Sequence, residues 1–524
     1  MSRPVYGEMF FDRTEEIAAL RQNLDLISSG EPRNVCLRGI RKSGKTSILF
    51  ELKRRHVKKN VIMPYVYLLD ETSVSFGRKY VQAILYETIS HRGDHAPETV
   101  RELIAETIKL APSLADYLLK VRESINKKLT IETLEILLDL PEKLGDALGV
   151  VYWIQMDEFQ RLKDINISGT IDILREKILK QKRTSYLVAG SAMRLMHELF
   201  DANDSPLFGH FEILTIGPFK YEDARAYVQE KLSICGLTIP EILLNFMLAE
   251  TGGYPFYLYA LTDRICRITT HKEVSRNDLE EAFVREVYDP DGRVYINIKQ
   301  LMEDSLGRKG LAVYLAVMKA VAQGRNTISD VSLDAKIPMT ELSTPMRKLV
   351  EIGFISKGRG GYVISIPMLL FWLRNVHSLE SKSFLDLDER YHRFKSQFEQ
   401  MMAAFKSELG IARESQIREI FSQMGKFDEV RGGDLEGFEF DLICRRGGKT
   451  WLGEIKTNII DSAAVDNFFR KCGKAGPVDK KILVSLFGID KKAASLAKKL
   501  GIEVWNLERV NKERAKYKLG KIRI

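Results

Sequence analysis

A glycine-rich stretch near the beginning of the chain has the residue types and spacing of a phosphate-binding loop. It reads Gly39-Ile40-Arg41-Lys42-Ser43-Gly44-Lys45-Thr46, a full match to the pattern G-x-x-x-x-G-K-[ST]. Glycines allow backbone N–H groups to surround phosphate oxygens, and the positive end of the following helix favours the same anion. We expect Lys45 to reach the β- and γ-phosphates of ATP and Thr46 to ligate Mg²⁺. The residues expected to contact this nucleotide are Gly39, Lys42, Ser43, Gly44, Lys45, Thr46 and Ser47.

Two acids close a second apolar run, residues 150–156, which has the composition of a buried strand. The carboxyl end of a parallel strand lies beside the phosphate loop, so Asp157 is expected to hold Mg²⁺ through water. Glu158 is placed to polarise an attacking water, which would distinguish a nucleotide hydrolase from a passive nucleotide binder. The alternative is an acidic pair that merely ends a strand.

A third group of candidate residues surrounds the pair Gly447-Gly448 near the C-terminus. Two adjacent glycines between alternating apolar and polar segments predict a two-residue hairpin turn. With these glycines as the turn, Asp441 faces Glu454, and Glu439 faces Lys456. Alternation puts these four side chains on one face of the hairpin. The other face is then expected to consist of Phe438, Phe440, Leu442, Cys444, Trp451 and Ile455.

Opposed carboxylates about 5 Å apart repel each other unless a divalent cation lies between them. We therefore expect Asp441 and Glu454 to bind Mg²⁺ and Lys456 to steady a phosphate or an attacking water. The alternative is an ordinary Glu439–Lys456 ion pair on a solvated face.

Positive charge is concentrated at the end of the chain, which has a net charge of +9 overall. Residues 445–524 contain 20 Lys and Arg against 8 Asp and Glu, so the rest of the chain is nearly neutral. Such a segment suits a polyanion, because each neutralised phosphate releases counterions. DNA is the expected partner, and the side chains expected to hold it are Arg470, Lys471, Lys474, Lys480 and Lys481.

The composition of the 524 residues is that of globular domains, with 45% hydrophobic and 29% charged residues. At about 150 residues per domain, roughly three domains are expected. The sequence contains no uncharged apolar run of about 18 residues, so no membrane span is predicted. The five cysteines are scattered and never form C-x-x-C, which argues against a disulfide framework and favours a reducing compartment. We expect a cytoplasmic protein.

The elements that must position the first two groups of residues alternate between β-rich and helical patterns over about 290 residues, which predicts an α/β unit with a parallel sheet. The expected strands are residues 34–38, 62–69, 150–156, 185–189 and 212–216. A helical insertion is expected at about 76–148 within a core of residues 1–220. A helical lid is expected at 221–290.

The second half of the chain begins after the break at Asp289-Pro290-Asp291-Gly292. Residues 291–377 read helix, helix, helix, hairpin, the order of a winged helix-turn-helix. Its second clear helix carries Arg347 and Lys348 and its hairpin Lys357 and Arg359, so DNA contact and a relay role both stay open. A linker is expected at 378–390 and a last domain at 391–524.

Six short motifs, in order, resemble the archaeal P-loop ATPases of the STAND/AAA+ group. In chain order they are Phe10-Phe11-Asp12-Arg13-Thr14-Glu15-Glu16, the phosphate loop at 39–46, Met156-Asp157-Glu158-Phe159-Gln160, Ala189-Gly190-Ser191, Ser205-Pro206-Leu207-Phe208-Gly209 and Gly252-Gly253-Tyr254-Pro255. The resemblance implies that Ser191, alone or with Arg194, senses the γ-phosphate and that Gly253 and Pro255 approach the adenine. His210 stands where such ATPases often carry an arginine, which makes Arg183 and Arg194 the candidates for an arginine finger.

The set Asp441, Glu454 and Lys456 resembles the PD-(D/E)XK nucleases over residues 391–524. Residues 412–419 resemble the opening helix of that fold, whose acid often joins the metal site. The resemblance implies Glu414 as a further Mg²⁺ ligand, with Glu419 as the alternate.

The expected fold class is therefore an ASCE/AAA+-like parallel sheet with a helical lid, followed by a winged helix-turn-helix and a restriction-endonuclease-like α/β domain. The expected function is ATP-regulated DNA processing with Mg²⁺ at both sites. A STAND-type ATP-driven switch or scaffold, with a terminal domain that binds DNA or protein without cleavage, is the alternative. An origin-recognition ATPase ranks third. The resemblance to AAA+ and to STAND ATPases is in each case compatible with a homo-oligomer.

Overall fold

The computed structural model describes residues 6–522 except 8–9, 69–72, 128, 166, 202–203, 308–309, 359, 381–386 and 457–458. The chain divides into two compact units. The first consists of Met1–Ile239 and Met247–Leu385, and the second of Pro240–Phe246 and Asp386–Ile524. Within the described ranges, no helix combines the length and the apolar character needed to cross a bilayer.

The first unit is built on a parallel six-stranded sheet, as the alternating pattern predicts. Its strands are β1 (Val35–Arg38), β2 (Val61–Ile62), β3 (Tyr65–Tyr67), β4 (Val151–Asp157), β5 (Thr184–Gly190) and β6 (Glu212–Thr215). Their order is β2-β4-β5-β1-β6, and β3 also pairs with β4. The expected strand at 62–69 is present as the two short strands β2 and β3, separated by a segment that contains Pro64. Proline cannot donate to the ladder, which accounts for the interruption.

Both faces of this sheet are covered, which explains why its strands are continuous apolar runs. Successive residues of β4 enter two different cores. Tyr152 and Ile154 belong to one core, and Val151 and Trp153 belong to the other. The helices around the sheet are α1 (Thr14–Ser28), α2 (Lys45–Arg55), α3 (Ser73–Ser90), α4 (Val100–Leu110), α5 (Ala115–Ser124), α6 (Ile131–Leu148), α7 (Thr170–Lys180) and α8 (Met193–Phe200). The helical insertion expected at 76–148 is α3 to α6.

Four helices follow β6, as the pattern of residues 221–290 predicts. They are α9 (Tyr221–Ile234), α10 (Glu241–Thr251), α11 (Pro255–Ile268) and α12 (Arg276–Phe283). Cys235, after α9, is disulfide-bonded to Cys266 in α11, across 31 residues of sequence. A single bond is not the disulfide framework that the cysteine spacing argues against, but the spacing did not predict it; the packing of α9 on α11 brings the two thiols together. Cys36, Cys444 and Cys472 are free and buried.

The next part of the first unit has the predicted order of helices followed by a hairpin. It comprises α13 (Arg293–Leu306), α14 (Leu311–Ala322), α15 (Ile328–Ala335), α16 (Met339–Glu351), the antiparallel strands β7 (Ile355–Gly358) and β8 (Gly361–Ile364), α17 (Pro367–Trp372) and α18 (Ser378–Glu380). Arg359, expected at the tip of this hairpin, lies outside the described residues.

The second unit contains a five-stranded mixed sheet. Its elements are α19 (Leu387–Gln423), β9 (Glu429–Leu435), β10 (Phe438–Arg446), β11 (Lys449–Lys456), α20 (Ser462–Lys474), β12 (Lys480–Ser485), α21 (Lys491–Lys499), β13 (Ile502–Asn506) and α22 (Leu507–Lys516). The strand order is β13-β12-β11-β10-β9, parallel from β11 to β13 and antiparallel elsewhere. One face packs on residues of α19 such as Ile417, and the other on residues of α20 such as Phe468.

Candidate functional sites

The phosphate-loop sequence connects β1 to α2, so the expected strand, loop and helix are all in place. Gly39 packs directly on the strand beside it, since a Cβ atom there would lie 2.2 Å from the backbone oxygen of Ile216. Only glycine fits at such a distance. Gly44 immediately precedes α2, and Ser47 lies in its first turn. The loop is therefore pressed against the residue that follows β6, and α2 begins at the carboxyl end of the sheet.

Lys45 is buried inside this loop. Its Nζ donates to the backbone oxygens of Gly39 at 2.7 Å and Ile40 at 3.0 Å. Burial lowers the pKa of the Lys45 ammonium. The hydroxyl oxygen of Ser43 is also buried and has no hydrogen-bond partner among the described residues. A buried polar group without a partner carries a free-energy cost, so the loop interior suits a ligand rich in hydrogen-bond acceptors.

Thr46 and Asp157 meet across the sheet. The Thr46 hydroxyl donates to Oδ2 of Asp157 at 2.6 Å, and the Tyr65 hydroxyl donates to the same oxygen at 3.0 Å. Asp157 is only 1% exposed, and its pKa is raised by burial and then by the neighbouring Glu158. A hydroxyl and a carboxylate oxygen at this distance form the donor set that Mg²⁺ uses beside a bound triphosphate.

Glu158 has a backbone φ of +56°, in the left-handed region that non-glycine residues seldom adopt. Its Oε2 accepts hydrogen bonds from the Ser191 hydroxyl at 2.7 Å and from Nε2 of Gln160 at 2.6 Å. Strained backbone persists where the surroundings hold it, and such positions cluster at functional sites. Ser191, expected to sense the γ-phosphate, is thus in contact with the expected catalytic glutamate.

Arg13 is a residue of this site for which the sequence reasoning assigned no role. It is 5% exposed, and its Nη2 donates to the backbone oxygens of Ser43 at 3.0 Å and Gly217 at 2.6 Å. Its guanidinium also lies 4.9 Å from the ring centroid of Phe219. Arg13 therefore ties the phosphate loop to the segment that leads into the helical region. The signal available was its place in the acidic and aromatic motif of residues 10–16, directly before the first residue of α1.

The expected adenine-side residues lie where α11 begins. Pro255 is the first residue of α11, and the backbone oxygen of Gly253 accepts from the Phe219 N–H at 2.9 Å. Nζ of Lys42 lies 5.1 Å from the ring centroid of Phe256, and burial lowers the pKa of Lys42. The loop and the start of α11 are therefore in contact.

The candidate arginine fingers have different outcomes. Arg183 precedes β5 at its amino end, and its Nε lies 3.6 Å from Oδ1 of Asp146. The phosphate loop lies at the carboxyl end of the same sheet, about 20 Å away along a strand of this length. Arg183 as a finger for its own chain's site is therefore wrong. The side chain of Arg194 lies outside the described residues. Nε2 of His210 is 3.5 Å from Nε of Arg175.

The C-terminal hairpin has the predicted register. Gly447 and Gly448 both have positive φ, +54° and +80°, as a type I′ turn requires. The paired residues of β10 and β11 run from Arg446–Lys449 to Leu442–Gly453, the register in which Asp441 comes next opposite Glu454.

The two strands separate beyond this point. The next β11 amide that would face β10, that of Ile455, donates to Oδ2 of Asp441 at 2.7 Å. On the other side of β10, Phe440 pairs with Gly433 and Ile443 with Arg431, so two β10 residues oppose one of β9. This is a β-bulge, a feature that redirects side chains and often lies beside active sites.

The bulge overturns two expectations. Glu439 pairs with Asp434 of β9, and within the described residues the β10–β11 ladder ends before the expected Glu439–Lys456 pair. The expected single apolar face is also wrong, because the extra residue reverses the alternation. Phe438 and Phe440 pack in the core on the α20 side. The core on the α19 side instead contains Leu442, Cys444, Trp451 and Ile455.

Acids and lysines gather around the bulge. The pKa of Asp441 is raised by burial and by nearby Glu454, and the pKa of Glu414 is raised by burial and by nearby Asp441. Oε1 of Glu454 lies 2.5 Å from Nζ of Lys456. The alternate acid Glu419 lies 3.2 Å from Nη1 of Arg514, whereas Glu414 lies near Asp441, which makes Glu414 the better candidate. In the described part of the chain, no three His, Cys, Asp or Glu side chains are close enough to form a ligand group.

Of the five basic residues expected to hold DNA, Lys471 lies beside these acids, with Nζ 3.6 Å from Oε2 of Glu454. Arg470 pairs with Asp466 at 2.7 Å, and Lys480 contacts Glu503. The ammonium groups of the other two lie over aromatic rings, Lys474 over Phe438 and Lys481 over Phe469.

The chain was compared with known proteins and solved structures. No protein-family model matches it, and neither does any curated protein. Among solved structures, the Walker-type ATPase PABY2304 of Pyrococcus abyssi is 20% identical and has a TM-score of 0.48. That alignment covers 71% of this chain and 98% of the other.

Two further structures have similar coverage. The ORC2 protein of Aeropyrum pernix, solved as ADPNP–ADP complexes, is 14% identical with a TM-score of 0.45, over 76% of this chain and 98% of that one. The RuvB Holliday junction branch migration motor of Thermotoga maritima is 13% identical with a TM-score of 0.35, over 69% and 95%. Each of these TM-scores lies below 0.5.

Proposed function

We propose that the first unit binds and hydrolyses ATP. The observation that carries this proposal is the 2.6 Å contact between the hydroxyl of Thr46 and the carboxylate of Asp157, beside a buried Lys45. The loop residue and the strand-end acid come from separate parts of the sequence, 111 residues apart. Their convergence next to a loop of matching sequence is what nucleotide hydrolysis needs.

The roles of the individual residues follow from their positions. Mg²⁺ would be held by Thr46 and Asp157, and when bound it neutralises charge on the phosphates. Lys45 would exchange its two carbonyl partners for phosphate oxygens. Glu158 would accept a hydrogen bond from the attacking water, and Ser191 would fix the direction of that carboxylate.

ATP turnover by two variants tests the assignment. Lys45→Ala is expected to lose nucleotide binding, whereas Glu158→Gln is expected to bind ATP and lose turnover by a factor on the order of 10² to 10⁴. Unchanged turnover in either variant would show that the wrong residues have been assigned.

We further propose that residues 391–524 form a PD-(D/E)XK-like domain that cleaves DNA with Mg²⁺. The predicted register of β10 and β11, and the splayed strands at Asp441, support this second function. Asp441 and Glu454 would bind the ion together with phosphate oxygens of the DNA, and Lys456 would steady the phosphate or the attacking water. Glu414 would have to move toward these two acids to serve as a third ligand. Cleavage of plasmid, single-stranded and branched DNA with Mg²⁺ or Mn²⁺ is expected and should vanish in Asp441→Ala.

The remaining organisation belongs to the same proposal. Residues 1–220 would be the ATPase core, 221–290 its lid, 291–377 a winged helix and 378–390 a linker, with ATP controlling access of DNA to the last domain. The contrasting function is a STAND-type switch or assembly scaffold, whose terminal domain binds DNA or protein without cutting. Divalent-ion-dependent nicking, measured with and without ATP, separates the two: a switch binds DNA but leaves it intact. Sedimentation with and without ATP tests self-association.

A further inference from the structure

Glu454 is contacted by two lysines, one at each carboxylate oxygen. Lys456, two residues further along β11, lies 2.5 Å from Oε1, and Lys471 of α20 lies 3.6 Å from Oε2. Only 16% of the Glu454 side chain is exposed, so neither contact is a loose surface pair. A divalent cation that uses Glu454 must therefore compete with ammonium groups already in place.

Asp441 differs in this respect. Its Oδ2 accepts from the backbone amide of Ile455, a neutral donor that fixes the carboxylate without opposing a cation. The Asp441 carboxylate is thus held in place by a neutral donor, whereas the Glu454 carboxylate is paired with two lysines. Of the two lysines, Lys456 is already assigned to the reaction, whereas Lys471 is expected only to hold DNA.

Lys471 has two possible anionic partners, the carboxylate of Glu454 and a phosphate of DNA. The ammonium of Lys471 also lies over Phe440, with Nζ 4.7 Å from the ring centroid, and a quarter of the side chain is exposed. A lysine carries its charge on a flexible stem, so the ammonium can move from one nearby anion to another. An ammonium binds a phosphate oxygen as readily as a carboxylate oxygen, because both are charge-assisted hydrogen bonds.

We propose that Lys471 couples metal binding to DNA binding. A DNA phosphate draws Lys471 from Glu454, and the freed carboxylate then binds the divalent cation together with Asp441. The cation and the DNA consequently bind as a pair, and each raises the affinity of the site for the other. Mg²⁺ often combines one or two carboxylates with substrate phosphates in this way. The inference rests on the proposed nuclease function of the second unit.

The test measures Mn²⁺ binding to the full chain, without nucleotide, by electron paramagnetic resonance of the free ion. Titrations are run with and without a 20-base-pair duplex at 4 °C, and a gel checks that the duplex stays intact. Lys471→Met removes the charge and keeps an unbranched apolar side chain at this position. Lys516→Met in α22 is the control, because Nζ of Lys516 also contacts a glutamate, 2.6 Å from Oε1 of Glu513. Asp441→Asn identifies the Mn²⁺ bound at this site.

In the unaltered protein, DNA is expected to tighten Asp441-dependent Mn²⁺ binding several-fold. Lys471→Met is expected to bind Mn²⁺ alone roughly three- to tenfold more tightly, the size of a partly buried ion pair, and to lose most of the DNA effect. Lys516→Met should keep both Mn²⁺ affinities of the unaltered protein, with and without DNA.

Two other outcomes would overturn the inference, and they can be told apart. If Asp441-dependent Mn²⁺ binding is equal in the three proteins, or if DNA does not change it, Lys471 does not couple the two ligands while the metal site stands. If no Asp441-dependent binding occurs even with DNA, the proposed nuclease site itself is wrong.

Discussion

Arg418 donates a hydrogen bond from Nη1 to the backbone oxygen of Asp441, 2.8 Å away and 23 residues later in the sequence. The same nitrogen lies 3.6 Å from Oε2 of Glu414. A Cβ atom on Gly432, the residue opposite the bulge, would lie 2.8 Å from this nitrogen. Arg418 therefore occupies the gap that the bulge and a glycine leave open, and it fixes two candidate metal ligands at once.

Replacing Arg418 should impair the arrangement of the acids more than the fold. We expect Arg418→Met to lower the kcat of Mn²⁺-dependent cleavage by about tenfold to a hundredfold with little change in KM. A metal ligand displaced by about 1 Å can lower the reaction rate by that factor. Gly432→Ala should have the same effect by displacing the guanidinium. Arg446→Met is the control, because its Nη1 also donates to a backbone oxygen, that of Lys426. Equal kcat values in all three variants would contradict a positioning role.

The close packing of Gly39 gives a prediction for the first unit. Gly39→Ala places a methyl group against the backbone oxygen of Ile216, so the loop must shift, and we expect both a loss of ATP affinity and about 2 kcal/mol of destabilisation. Fluorescence titration with a nucleotide analogue and urea unfolding measure the two effects. In Gly217→Ala the added methyl group meets open space, and this variant should bind normally. Tight ATP binding by Gly39→Ala would show that the loop accommodates a side chain.

The hydrogen bond from Ser191 to Glu158 predicts how turnover responds to its loss. Ser191→Ala is expected to lower the steady-state rate of ATP hydrolysis by about tenfold, the value of one charge-assisted hydrogen bond, with nucleotide affinity retained. Ser233→Ala, at an exposed position of α9, serves as the control. A faster rate in Ser191→Ala would mean that the serine restrains Glu158 instead of orienting it.

Glu250 should make the stability of the first unit depend on pH. Burial raises the pKa of Glu250 to about 7, and nearby Arg374 opposes the shift only in part. Because the folded pKa is raised, the carboxyl stabilises the fold fully below its ordinary pKa of about 4.5, and this contribution is lost as the pH rises through about 7. The loss amounts to about 3 kcal/mol.

Thermal unfolding between pH 5 and pH 9 measures this effect. Glu250→Gln should unfold at a higher temperature than the unaltered protein at pH 8.5, and the difference should shrink toward pH 5. Glu230→Gln, which changes an exposed glutamate of α9, should follow the unaltered protein. Parallel curves for Glu250→Gln and the unaltered protein would contradict an ionisation near neutrality.

The sequence was sufficient wherever the deciding interactions are local. The hairpin register followed from Gly447 and Gly448 alone, since two residues with positive φ allow few turn geometries. The strand that ends in Asp157 and the helix that begins at Lys45 followed from apolar runs and a loop pattern of fixed length.

The sequence was insufficient where residues far apart decide the outcome. The bulge after Phe440 depends on contacts with β9 and on Arg418, so period-2 alternation alone placed Phe440 on the wrong face. The bond between Cys235 and Cys266 depends on how two helices pack, and a spacing of 31 residues carries no signal for it. Arg183 is a different case: it precedes the strand expected at 185–189, so the rule that the phosphate loop lies at the carboxyl end of the sheet already argued against it as a finger for its own chain's site.

The strand order of the first sheet has a consequence for the order of events during folding. Thr46 follows β1, Ser191 follows β5 and Asp157 ends β4, and β5 lies between the other two. A nascent chain lacks this trio until β5 has been inserted between its neighbours, so the proposed ATP site forms only after β1, β4 and β5 have come together. A ligand that binds only the native state shifts the folding equilibrium toward that state by mass action. ATP bound at the proposed site would therefore stabilise chains in which these strands are in place.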